Sequence, residues 1–223
     1  MLLKRGGRKL LQLVLTYFSK HFSDYILLVR EHILISLSTV ILAMIIAIPL
    51  GILCTSYEFL YKGVKGLFGT LRIVPSLAIL VLFIPIVGTG MKLAVLALTI
   101  LAIPPILINT ALAFRTLPEA VLETALGMGM GAWRTFFIVK IPLAFPLIFA
   151  GVKTAVVEVI ASATLAAYIG AGGLGSLIFT GLGLMRTDLL LIGGVSVGIL
   201  SLLSGYLLNR LEHRITKYKT VKN

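Results

Sequence analysis

From Ile33 to Leu53 the chain carries no charged residue, and about 20 consecutive apolar residues in a helix cross the ~30 Å hydrocarbon core of a bilayer. A helix apolar on all sides has no face to give to water. In lipid it closes its own backbone hydrogen bonds and can stand. Further runs extend from Leu93 to about Phe114, Leu143 to Ile169 and Leu189 to Leu208, with a shorter one from about Ile73 to Val87. With 59% hydrophobic and 13% charged residues, the chain departs too far from soluble composition to present a polar shell. It is read as an all-α integral membrane protein with about five transmembrane helices.

Several spans carry features that lipid alone does not satisfy. The short second run holds Pro75, Ser76 and Pro85, which predicts a broken or tilted helix sheltered by its neighbours. Broken helices border transport paths, so Pro75 and Ser76 are candidates for a path or gate. The third run holds Pro104-Pro105 and Asn109; these should face protein, and Asn109 joins the same candidates. Lys153 and Glu158 lie within the fourth run, where a charge is expensive and faces a cavity or a partner. Their five-residue spacing puts them on different sectors of a helix. They either line the path or lock the helix to a neighbour.

The remaining segments suggest the organisation. Leu11, Val14, Leu15, Phe18, Phe22 and Tyr25 recur at helical spacing with Gln12, Thr16, Ser19 and Ser23 between them, so residues 1–30 are read as an amphipathic helix in the membrane interface or an extension packed on the bundle. Lys20, His21 and Asp24 interrupt this stretch without a small-residue cleavage site, so it is expected to be retained. Residues 31–208 form the membrane domain, with a polar loop at about 115–142, and 209–223 are a basic tail. Gly194 and Gly198, with Gly205 beyond, are expected to give a flat face for close packing.

Lys and Arg outnumber Asp and Glu 20 to 8. They are spread over loops and tails, which favours anionic lipid over nucleic acid as partner. Arg210, Arg214, Lys217, Lys219 and Lys222 place the C-terminus in the cytoplasm by the positive-inside rule. The loop at 115–142 then lies on the same side. Five spans leave Lys4, Arg5, Arg8 and Lys9 outside, against that rule.

One cysteine, Cys54, excludes an intrachain disulfide, and His21, His32 and His213 are too dispersed for a metal cluster. No phosphate-binding loop ending in Gly-Lys-Ser/Thr occurs. Gly170, Gly172 and Gly175 imitate a dinucleotide spacing but join membrane spans instead of a strand and a helix. The chain is therefore expected to be no enzyme and to bind no metal or cofactor. Gly172 and Gly173 are instead read as part of a turn that lets backbones approach or moves during gating.

Glu123-Thr124-Ala125, Gly129 and the closing Val139-Lys140-Ile141-Pro142 resemble the cytoplasmic EAA loop of binding-protein-dependent ABC importer permeases. A short helix carrying Ala125, Leu126 and Met128 can seat in a groove. Gly129 or Gly131 permits a sharp exit, and Pro142 suits the first turn of the next helix. Thr124 and Ile141 depart modestly from the family pattern, which has alanine and leucine there. Thr70 to Ala78, Pro104 to Thr110 and Thr164 to Gly175 are similar to signatures of the glycine betaine, carnitine and choline branch.

The resemblance implies the type I importer permease fold, with a cytoplasmic coupling helix contacted through Glu123, Thr124, Ala125, Gly129, Trp133, Ile141 and Pro142. It also implies a bacterial cell membrane location, a second permease subunit, two cytoplasmic ATPases holding ATP and Mg, and an external substrate-binding protein. Quaternary ammonium groups favour aromatic cages, yet Trp133 is the lone tryptophan and sits in the loop, so recognition is delegated to the binding protein. A permease for another small solute such as methionine is the nearest alternative. An ion-coupled carrier using Lys153 and Glu158 is a more distant one.

Overall fold

The structure, a computed structural model, describes residues 2–55, 58–71 and 74–215. Ten α-helices account for nearly all of these residues: α1 (Leu2–Leu53), α2 (Glu58–Leu71), α3 (Ser76–Leu82), α4 (Ile84–Val87), α5 (Met91–Arg115), α6 (Glu119–Gly127), α7 (Ala132–Thr135), α8 (Ile141–Ala166), α9 (Gly175–Gly183) and α10 (Thr187–Ile215). A π-turn (Phe136–Lys140) joins α7 to α8, and a 3-10 turn (Ala167–Ile169) ends α8. Among the described residues, four stretches are long and apolar enough to cross a membrane: Leu10–Leu53, Met91–Arg115, Ala132–Ile169 and Thr187–Ile215.

The shorter second apolar run is broken, as its two prolines require. Pro75 precedes α3 in an extended conformation, and Phe83 (φ −87°, ψ −5°) interrupts the helix before α4, whose first turn contains Pro85. The start of that run, Ile73, lies outside the described residues with Arg72, as does Tyr57 in the preceding connection.

The amphipathic N-terminal segment and the first span are one element instead of two. They are joined in α1 with a kink at His21 (φ −126°, ψ 28°), the place where Lys20, His21 and Asp24 interrupt the apolar pattern. Val14, Phe18 and Tyr25 pack against protein, whereas Leu11, Leu15 and Phe22 remain exposed. The segment therefore joins the bundle along one face, the second of the two sequence readings. The basic side chains before Leu10 are outside the described residues, as are Lys217, Lys219 and Lys222.

The chain divides into two compact units, to both of which α1, α5, α8 and α10 contribute. The first comprises residues 1–39, 75–99 and 157–204. Its core gathers Tyr17, Leu174, Leu177, Leu189 and Ile192, flanked by Leu28, Val29 and Leu200. The Tyr25 hydroxyl and Ser196 Oγ lie 2.8 Å apart, which pins α1 to α10. Asp188 is buried and receives a two-pronged hydrogen bond from Arg186, at 3.2 Å from Nε and 2.6 Å from Nη2; this paired geometry makes burial of the carboxylate tolerable.

Close glycine packing occurs at Gly193, where a Cβ would lie 2.7 Å from Ile178 Cγ1. Gly194, Gly198 and Gly205 meet nothing within 4 Å in the described chain, so the flat face read from the sequence lies one residue away from the observed contact.

The second unit comprises residues 40–74, 100–156 and 205–223. Pro104 and Pro105 are buried in α5, where each removes a backbone donor. Asn109 Nδ2 donates to the Pro105 carbonyl at 2.7 Å and Thr110 Oγ1 to that of Ile106 at 2.7 Å, keeping these polar side chains satisfied inside the helix. Asn109 is met by Gly151 of α8, at which a Cβ would fall 2.7 Å from Asn109 Cβ. Both features face protein, as the sequence requires.

Candidate coupling site

The loop at 115–142 belongs to the second unit. Pro118 is extended (φ −63°, ψ 119°) and opens α6, with Glu119 in the first turn, where an acidic group favours the helix dipole. At the far end the Gly129 N–H donates to Leu126 O (2.9 Å) and the Met130 N–H to Ala125 O (3.1 Å), with Gly129 at φ +76°. This is a Schellman stop, whose left-handed residue is glycine because a Cβ is disfavoured there. The exit thus falls at Gly129. Gly131 (φ −65°, ψ 160°) instead precedes α7 as its cap.

Ala125 is only 2% exposed, so it holds α6 to its own chain. Leu126, Met128 and Glu123 are exposed and available to a partner. Thr124 is exposed too, its hydroxyl donating to Ala120 O at 2.7 Å, so its departure from alanine breaks no packing. Trp133 is 77% exposed and stacks on Phe137, the ring centroids 5.9 Å apart. Phe137 and Ile138 extend this exposed apolar surface, and Phe114 stacks on Phe136 at 5.8 Å on its inner side.

Ile141 is half-buried and Pro142 exposed at the start of α8. The Ile141 N–H reaches back to Phe136 O in the π-turn. Pro142 has no N–H to offer the preceding turn, and the widened turn lets it be entered without ending the helical path. A cleft of about 290 Å³ lined by Thr116, Pro118, Leu143 and Pro146 lies at the base of this segment.

The seven residues singled out for the path or gate divide between the units. Pro75, Ser76, Glu158, Gly172 and Gly173 belong to the first, Asn109 and Lys153 to the second. Pro75 is exposed and Ser76 half-buried at the start of α3, and Glu158 is half-buried in α8. Lys153 reaches α10. Its ammonium donates to Glu212 of α10, and to Asn209 Oδ1 at 3.0 Å. Both charged side chains are 24% exposed.

Gly172 (φ +82°) and Gly173 (φ +79°) form a left-handed turn against α1. Glu31 Oε2 accepts the Gly173 N–H at 2.8 Å, and His32, fully buried, places Nε2 3.1 Å from the Ile160 carbonyl of α8. Glu31 escaped the sequence reading, in which His32 figured only as one of three histidines too dispersed to hold a metal. Their signal is an adjacent acid and imidazole at the edge of the uncharged run, in a segment where polar groups are rare.

The fold matches that of a solved structure described as inward-facing conformations of the MetNI methionine ABC transporter, with a TM-score of 0.77, 22% identity, and coverage of 86% of this chain and 96% of that one. This is the transmembrane permease architecture of ABC importers. The chain belongs to the family of binding-protein-dependent transport system inner membrane components, whose pattern spans residues 47–217, and is a permease subunit of that class. Its relatives include the carnitine transport permease protein OpuCB of Listeria monocytogenes, 43% identical over 203 residues (91% of this chain, 93% of the relative). A glycine betaine/carnitine/choline transport system permease protein, OpuCB of Bacillus subtilis strain 168, is 38% identical over 206 residues (91% and 94%).

Proposed function

We propose that this permease carries quaternary-ammonium osmoprotectants (glycine betaine, carnitine or choline) across a bacterial cell membrane. The observation that carries this reading is similarity over nine-tenths of the chain to permeases named for those substrates. The likeness to a methionine transporter rests on 22% identity, which speaks to fold alone. Family membership also sets aside an ion-coupled carrier as the class.

In this reading the chain works with a second permease subunit, two ATPases on the cytoplasmic side and an external substrate-binding protein. ATP and Mg are held by the ATPases. The loop at 115–142 and the C-terminus face the cytoplasm. Closure of the ATPases displaces Trp133 and the exposed side of α6, and the movement enters α8 through the π-turn with no intervening loop, a rigid-element transfer of the kind used in switching proteins. Glu123, Thr124, Gly129, Ile141 and Pro142 shape that contact, and Ala125 holds it to the permease.

Uptake of labelled carnitine by the reconstituted transporter tests the substrate class. Competition by glycine betaine, carnitine or choline with none by methionine is the expected pattern. Competition by methionine alone overturns it.

A further inference from the structure

The end of α10 carries a concentrated positive surface that neither the transport path nor the coupling loop uses. Tyr206, Asn209, Arg210, His213 and Arg214 line an open groove of about 540 Å³. Spaced three, four and seven residues apart, they fall on one side of the helix. The Arg210 guanidinium lies 5.1 Å from the centre of the Tyr206 ring, an arrangement that holds the cation in place without neutralising it.

Glu212, the acid of the same turn, is engaged by Lys153. Among the described residues no carboxylate pairs with Arg210 or Arg214. The groove therefore presents two guanidinium forks and an imidazole. Guanidinium forks match phosphate oxygens two at a time.

Depth in the membrane selects the source of the phosphate. Helix α10 has 29 residues and is about 44 Å long at ~1.5 Å per residue, whereas the hydrocarbon core takes about 20 of them. Counted from Leu189, the core is left near Leu208, so Arg210, His213 and Arg214 stand at headgroup level. Leu207 and Leu211 are exposed beside the groove, offering an apolar surface to an acyl chain attached to a headgroup held there.

We infer that this groove binds the phosphate of an anionic phospholipid, tethering the end of α10 to the adjacent leaflet. Each guanidinium near an anionic surface contributes about fivefold in affinity, and two about 25-fold. The inference deepens the expectation of anionic lipid as partner and does not depend on the transported substrate.

The test is lipid retention by the assembled transporter, purified from nanodiscs of phosphatidylcholine with a minority of phosphatidylglycerol and read by native mass spectrometry. Wild type and Lys92→Gln, which alters a cation at the start of α5, should retain phosphatidylglycerol over phosphatidylcholine. The double variant Arg210→Gln, Arg214→Gln should lose at least tenfold of that preference. Arg210→Lys, Arg214→Lys should recover most of it, and excess inorganic phosphate should not displace the lipid. Unchanged preference in the glutamine variant, equal loss of both lipids, or displacement by free phosphate overturns the site. A negative result leaves the permease assignment standing, since carnitine uptake tests that separately.

Discussion

The Glu31 carboxylate accepts the Gly173 backbone N–H at 2.8 Å, while the neighbouring Gly172, also left-handed, faces the same carboxylate so closely that a Cβ there would collide with Oε2. One acid of α1 thus reads the backbone of the turn after α8. Glu31 adds a side-chain acceptor from α1 to the backbone hydrogen bonds that shape the turn. Gly172→Ala should cost about 1–2 kcal/mol for the left-handed residue alone, with more for displacing Glu31. Glu31→Ala should cost about 1–3 kcal/mol by leaving an N–H without its acceptor, and Glu31→Gln less. Thermal unfolding followed by size-exclusion chromatography checks the order: Gly172→Ala and Glu31→Ala well below Glu31→Gln, and Glu31→Gln near wild type.

Lys153 and Glu212 join α8 to α10, and each leaves the other partly buried if removed. At 24% exposure the loss is discounted for solvent, to about 1–2 kcal/mol for Lys153→Met or Glu212→Gln alone. The double variant should recover part of that loss in a mutant cycle. If Lys153 instead lines the path, Lys153→Met lowers carnitine uptake regardless of residue 212; measuring uptake across the cycle separates the two roles.

In the proposed coupling segment, Gly129→Ala forces a β-carbon into the left-handed stop of α6 and should cost about 1 kcal/mol. Its larger effect should be functional, since the stop aims Leu126 and Met128. Substrate-stimulated ATP hydrolysis by the assembled complex should fall several-fold while the permease still inserts and extracts normally. Stimulation unchanged in Gly129→Ala would show that the exit geometry of α6 does not matter to coupling.

Cys54 is the single cysteine of the chain and is buried, which pushes its thiol above the ordinary range. Alkylation needs the thiolate, so both access and ionisation slow it. In the folded permease at neutral pH, maleimide labelling should be at least tenfold slower than in denaturant. Equal rates would contradict the packing around the end of α1.

Much of the membrane architecture is legible in the sequence because lipid imposes a length and a composition on each span. The break in the second apolar run follows from Pro75 and Pro85, and the stop of α6 from Gly129, since both rules are local. The contacts of Glu31 with Gly173 and of Lys153 with Glu212 are not legible, because residues far apart in sequence meet only once helices pack. The kinked continuity of α1 through His21 was obscured by polar residues that resemble a boundary but are satisfied locally: Ser19 Oγ donates to Thr16 O at 2.9 Å, and His21 Nδ1 lies 3.2 Å from Asp24 Oδ2. The π-turn at 136–140 escapes periodicity because it adds one residue to a helix whose apolar pattern is otherwise unbroken.

That the surface around Trp133 receives the ATPase is tested most directly by Trp133→Cys in a Cys54→Ser chain, labelled with a membrane-impermeant maleimide. The cysteine should react in inverted vesicles and not in intact cells, and assembly with the ATPases should protect it at least tenfold. Labelling from outside, or equal labelling of the free permease and the assembled transporter, would contradict the account.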